Sequence, residues 1–145
     1  MNAEDILQNK GYDVETTTED VQLIDISRLL TDRRIGCVLV MDQGGSRLVG
    51  LVSERDIVSN LAQHGAEALE WPVSRVMVHN LFVCDPKSNV DSIMAAMTDN
   101  RVRHLPVMEG EKLVGLISIG DVVKHRISEL ESESRFMREY IATAG

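Results

Sequence analysis

Two short segments hold the residues best suited to chemistry: Ser53-Glu54-Arg55-Asp56 and Ser118-Ile119-Gly120-Asp121, each directly after an apolar run. A serine followed three residues later by an acid is a capping box, in which each side chain satisfies a free backbone N–H of a helix's first turn. The same arrangement sets a hydroxyl and a carboxylate at a helix N-terminus. There the N–H groups attract anions, and a carboxylate accepts hydrogen bonds from both hydroxyls of a ribose. Capping and ligand binding are alternative uses of these residues. A third segment, Arg101-Val102-Arg103-His104-Leu105-Pro106, gathers two arginines and a histidine where a helix passes into a strand. It suits a phosphate, or a solvated strand end. Lys10-Gly11 is a weaker cation candidate.

Catalysis has less support. Ser53, Ser118, His104, Asp56 and Asp121 include the residue types of a nucleophilic triad, but there is no GxSxG, and a helix-capping serine lacks an evident base. HExxH, Walker and dinucleotide GxGxxG patterns are also missing. Cys37 and Cys84 show neither CxxC spacing nor a matching histidine pattern, so no metal site or disulfide framework is expected and both read as reduced thiols.

The elements that position these residues come from a duplication. LVGLVSERDIV at 48–58 returns as LVGLISIGDVV at 113–123, with seven of eleven positions identical. Upstream, Leu23, Ile26 and Leu30 share the helical spacing of Val90, Ile93 and Met97 at an offset of 67 residues, whereas from Leu48 and Leu113 the offset is 65. The difference falls in turn-rich connections, Asp42 to Arg47 and Glu109 to Lys112, which read as hairpin loops. The first copy reads as a strand at Asp13–Thr16, a helix at Leu23–Arg33, strands at Val38–Met41 and Leu48–Val52, and a helix at Arg55–Gln63. The second repeats this with Leu81–Cys84, Val90–Asn100, Leu105–Met108, Leu113–Ile117 and a helix from Gly120 onward. Gly65 is expected to close the first copy's last helix in the left-handed conformation, with Trp71-Pro72 in the linker. A unit this small buries its apolar face only against its copy, so function belongs in the grooves between them.

At 145 residues and 43% hydrophobic content, the chain suits one compact domain or two half-domains sharing a core. A net charge of −8 and only five aromatic residues argue against a nucleic-acid surface. With no apolar run of membrane-spanning length and an acidic, polar N-terminus, no membrane partner is expected and the protein is expected in the cytoplasm. The last helix continues through Ile127, Leu130, Met137 and Ile141, a stripe with no counterpart in the first copy. Its expected use is contact with a partner, first a second copy of the chain in a homodimer. The sequence thus divides into a first repeat at 1–68, linker and second repeat at 69–128, and a helical tail at 129–145.

With GLVSERDI, GLISIGDV and RHLPV in place, the chain resembles a tandem pair of cystathionine-β-synthase (CBS) domains, a Bateman module, from about Ile6 to Val123. Its form resembles stand-alone bacterial signalling proteins of that family. The resemblance implies an α/β (α+β) fold of two pseudo-symmetric β-α-β-β-α repeats packed through their sheets, with an extended C-terminal helix. It also implies a regulatory sensor of adenine nucleotides, AMP first, with NAD(H), ADP or ATP as alternatives, read by an unidentified protein partner. The motif aspartate resembles the family's ribose-binding acid. One cleft would combine Ser53, Arg55 and Asp56 with Leu81, Phe82, Val83, Arg103, His104 and Pro106. The other would combine Ser118, Ile119 and Asp121 with Lys10, Val14, Glu15 and Gly36. Gly120 stands where Arg55 stands and Gly36-Cys37 where Arg103-His104 stand, which leaves the second cleft poorer in charge. A dimerisation module with vestigial clefts and a nucleotide-converting enzyme are the competing readings.

Overall fold

Apolar periodicity and capping chemistry lay out the same helix, hairpin and helix in both copies of a computed structural model that describes residues 1–144; Gly145, the last residue of the expected tail, lies outside the described residues. In the first copy, β1 (Thr16–Thr18) leads through α2 (Leu23–Arg33) to the hairpin β2 (Cys37–Met41) and β3 (Leu48–Ser53), then α3 (Glu54–His64). In the second, α4 (Val90–Asn100), β4 (His104–Glu109), β5 (Lys112–Ser118) and α5 (Ile119–Ala144) follow. The fold is mixed α+β, with two small sheets in the orders β1-β2-β3 and β4-β5. Both hairpins carry a register shift at matching places, Val40/Met41 and Val107/Met108. Both α2 and α4 end on an arginine in the left-handed conformation, Arg34 at φ 55° and Arg101 at φ 54°.

An additional helix, α1 (Ala3–Lys10), was not expected from the sequence. Asn2 and Asp5 cap it reciprocally, and Ala3, Ile6 and Leu7 form its buried stripe. Those three residues enter the core of the second copy, with Ile93, Met97, Leu105, Val107 and Ile117. In exchange, Val73, Val76 and Met77, from the segment after the first copy, enter the core of the first with Leu23, Ile26, Val38 and Val52. Each core therefore closes with a segment that the chain delivers from before the other copy. The motif glycines make room for this exchange. A Cβ on Gly115 would lie 2.8 Å from Leu7 Cδ2, and one on Gly50 would overlap the Met77 side chain. Losing a buried leucine such as Leu7 to alanine costs about 2–5 kcal/mol.

Three local expectations are corrected. The first strand begins later than Asp13: Thr16–Thr18 pairs in parallel with Leu39–Met41, and the Leu39 N–H donates to the Glu15 carbonyl. The strand expected at Leu81–Cys84 shrinks to one parallel bridge, Cys84 with Val107. Pro106 is the counterpart of Leu39 and has no N–H to give the Phe82 carbonyl, and Asp85 turns the chain by accepting the Lys87 N–H at 2.7 Å. Gly65 does end α3, but at φ 75° and ψ −165°, outside the left-handed helical region. Beyond it, Trp71 lies between His64, with ring centroids 4.9 Å apart, and the Arg75 guanidinium, 3.6 Å above its ring.

Candidate functional site

Both capping boxes form as the residue types require. In the first copy, the Ser53 N–H donates to Asp56 Oδ2 at 2.8 Å, the Ser53 hydroxyl to the same oxygen at 3.0 Å, and the Asp56 N–H to Ser53 Oγ at 3.3 Å. In the second, the Ser118 N–H reaches Asp121 Oδ2 at 2.9 Å and the Asp121 N–H reaches Ser118 Oγ at 3.1 Å. The capping role is therefore present at both sites. It does not exclude a ligand role, because a carboxylate has about four acceptor positions and these bonds occupy only part of them.

The start of α3 opens on a cavity of about 800 Å³ between the two sheets, within the roughly 300–1,000 Å³ of small-molecule sites. Ser53, Arg55 and Asp56 line one side; Leu81, Phe82, Arg103, His104 and Pro106, all from the other copy, line the opposite side. Eight of the nine residues expected in the first cleft thus meet. The ninth, Val83, is half exposed and is not part of the lining.

The residues expected in the second cleft divide. Lys10, Ser118 and Asp121 come together: Lys10 Nζ donates to Asp121 Oδ2 at 2.5 Å and to the Leu116 carbonyl at 2.8 Å. Gly36 and Ile119 instead line the first cavity. The repeat explains why. Gly36 is the counterpart of Arg103 and Ile119 that of Glu54, and both members of each pair line the cavity, which therefore reaches the pseudo-two-fold axis. The backbone bonds match as well, Glu54 N–H to the Gly36 carbonyl at 3.0 Å and Ile119 N–H to the Arg103 carbonyl at 2.8 Å. Glu15 pairs with Arg33 at 3.6 Å, and Val14 is half-buried.

Three arginines, Arg55, Arg101 and Arg103, line this cavity together with the acidic Glu54 and Asp56. Burial, and after it the nearby charge of Lys10, holds the His104 imidazole below its ordinary value, so the ring favours its neutral form. Arg101 reaches the cavity from a left-handed backbone that costs an arginine about 1–2 kcal/mol. Leu51, Val78, Asn80 and Val102 also line it and were not among the residues expected in either cleft. Val78 arrives by exchanging two backbone hydrogen bonds with Leu51, at 3.1 and 2.8 Å, a long-range pairing without a periodic signal. The two thiols lie outside this chemistry: burial pushes Cys37 up to about 12 and Cys84 up to about 11. Among the described residues, no cluster of three His, Cys, Asp or Glu side chains is placed to hold a metal, and no helix is long and apolar enough to cross a membrane.

The family described as CBS domain matches residues 3–63 and 73–128. A crystal structure of a CBS-domain-containing protein from Agrobacterium tumefaciens superposes with a TM-score of 0.84 at 40% identity, over 87% of this chain and 99% of that one. A mitochondrial CBS domain-containing protein of Arabidopsis thaliana is 29% identical across 94% of this chain and 70% of its own length. A CBS domain protein of Pyrobaculum aerophilum, solved in complex with AMP, shares the fold at a TM-score of 0.74 and 23% identity, over 83% of this chain and 89% of that one.

Proposed function

The chain belongs to the CBS-domain family, as two such domains in tandem, and on that premise we propose that it is a regulatory module that binds an adenine nucleotide, AMP first, in the Asp56 cavity. CBS pairs are regulatory modules, and the Pyrobaculum relative is complexed with AMP. The observation that carries the reading is the convergence of Ser53, Arg55 and Asp56 from one copy with Phe82, Arg103 and His104 from the other. In this reading Asp56 accepts the ribose hydroxyls. The arginines and His104 hold the phosphate. The purine lies against Leu81 and Phe82, where Pro106 has left the Phe82 carbonyl free of a strand partner and able to accept from the exocyclic amine. NAD(H), ADP and ATP are the alternative occupants, distinguished by direct comparison.

A nucleotide that touches both copies favours the arrangement it binds better, and that shift is the signal a protein partner reads. The module works as a homodimer, with the tail of α5 at the interface. Ile127, Leu130, Phe136, Met137, Tyr140 and Ile141 are all exposed along it, and a run of exposed apolar side chains marks a contact surface. Binding occurs without turnover.

A thermal-shift comparison of AMP, ADP, ATP and NAD tests this, with chromatography of the nucleotide afterwards. A native-state ligand at about 100 times its Kd adds about 2.7 kcal/mol of stability, so AMP is expected to raise the melting temperature and be recovered intact. No shift with any of the four would favour a vestigial cleft, and steady conversion would identify an enzyme.

A further inference from the structure

The two motif aspartates sit in equivalent capping boxes but differ in their third partner. Asp121 carries a lysine: Lys10 Nζ lies 2.5 Å from Oδ2, Lys10 on the exposed end of α1 and Asp121 half-buried. Lys10 is doubly held, since it also donates to the Leu116 carbonyl at 2.8 Å. In the other copy, the carbonyl equivalent to that of Leu116 is that of Leu51, which accepts the Val78 backbone N–H, and among the described residues Asp56 has no cationic partner. Lys10 stands three positions after Leu7, packed on Gly115; three positions after Met77, packed on Gly50, stands Asn80, an uncharged residue that lines the cavity. Asp56 thus has no cation competing for its carboxylate, whereas Lys10 takes part of the acceptor capacity of Asp121 and neutralises its charge.

We infer that Lys10 is an internal occupant of the second cleft, an arm of α1 that takes the acceptor position of Asp121 and closes that cleft to ribose hydroxyls. The inference rests on the nucleotide reading of the Asp56 cavity and explains why one chain with two motif aspartates would bind one nucleotide. Geometry sets the competition. A charge-assisted hydrogen bond within the chain requires no association, so a free ribose must displace a partner that is already in place. The titration behaviour agrees: burial alone would raise the Asp121 carboxyl, but the bonds from Lys10 and Ser118 outweigh it and hold the carboxyl below its ordinary value. Lys10 also reaches across to the first cavity, because its charge is among the causes that depress the His104 imidazole. Release of the arm would therefore be felt at the occupied site.

The test is AMP stoichiometry by calorimetry on the intact chain and on Lys10→Met, which keeps the apolar stem and removes the charge, with Lys10→Gln as a second variant and circular dichroism as the check on folding. We expect one AMP per chain in the unmodified protein and two in either variant, the added site being lost on Asp121→Ala. Proton NMR should also show the His104 titration moving up in both variants. Two AMP per chain with Lys10 intact, or one per chain in folded Lys10→Met and Lys10→Gln, would overturn the inference. An unmodified chain that binds no AMP ends the nucleotide reading of the Asp56 cavity. The Lys10 variants then still decide: uptake of one AMP that Asp121→Ala removes supports the arm, and no uptake overturns it.

Discussion

Gly36 lies beneath the His104 ring: a Cβ at this glycine would stand 3.6 Å from His104 Cε1, in ordinary van der Waals contact. The two residues come from opposite copies and from nearly equivalent positions, so this contact marks where the pseudo-symmetric halves meet above the cavity. Gly36 has no positive φ, and what it provides is space, not backbone freedom.

It follows that Gly36→Ala should leave both the melting temperature and AMP affinity nearly unchanged, whereas Gly36→Leu should fill the cavity and weaken AMP at least tenfold while the fold persists. Calorimetry beside a thermal melt measures both. Unaltered binding in Gly36→Leu would remove the cavity's pseudo-axial end from the site.

Arg34 and Arg101 separate strain from function. Each occupies a left-handed helix end where glycine is at ease, so Arg34→Gly and Arg101→Gly should each relieve about 1 kcal/mol, offset in part by greater freedom of the unfolded chain. Only Arg101 lines the cavity, and only its replacement should weaken AMP. Denaturant unfolding and AMP titration of both variants check this; equal affinity in the two would leave Arg101 without a ligand role.

The pH dependence has a defined sign. His104 is held below its ordinary value of 6.5, by burial first and by Lys10 next. The unfolded chain therefore takes up the proton more readily, so this contribution to stability is present above about pH 6.5 and is lost as pH falls through the lower folded value. An AMP phosphate beside the ring reverses the effect and draws a proton in on binding. Calorimetry in buffers of differing ionisation enthalpy should show this uptake in the unmodified chain and less of it in His104→Gln, a comparison that separates the imidazole from the phosphate's own titration. Identical proton counts would place His104 away from the phosphate.

The α5 tail yields a prediction about assembly. Phe136 is 69% exposed and Leu130 58% exposed, so charge at either position should not disturb a single chain but should weaken a dimer built on this stripe. Light scattering is expected to report a dimer for the unmodified chain and a shift toward monomer for Leu130→Glu and Phe136→Glu. A monomer at micromolar concentration in the unmodified chain would contradict the assembly proposed here.

What could be read from the sequence was local. The repeat, the helical stripes of α2 and α4, both hairpins and both serine-to-aspartate caps depend on neighbours within a few residues, and those elements formed where their spacing placed them. Exchange between the copies was not legible. Nothing in Ala3, Ile6 and Leu7 says that they enter the second copy's core, although Asn2, Asp5 and Gly11 do mark a capped helix. Pro106 was read for its place in RHLPV, yet its missing N–H is what reduces the pairing near Phe82 to one bridge. Gly36 and Ile119, which the family resemblance implied for the second cleft, line the Asp56 cavity, because residues near the pseudo-two-fold axis face a space shared by both copies.

The central claim is that the Asp56 cavity holds the nucleotide, and calorimetric titration of AMP into Asp56→Asn and Asp121→Asn tests it most directly. Asparagine keeps one oxygen to accept the capping N–H while removing the charge and one acceptor oxygen, and circular dichroism checks that both variants fold. A hydrogen bond to a charged group contributes about 1.5–3 kcal/mol, which predicts a loss of roughly ten- to a hundredfold in affinity for Asp56→Asn. Asp121→Asn should bind AMP as the unmodified chain does. Equal losses in the two variants, or full affinity in Asp56→Asn, would contradict the account.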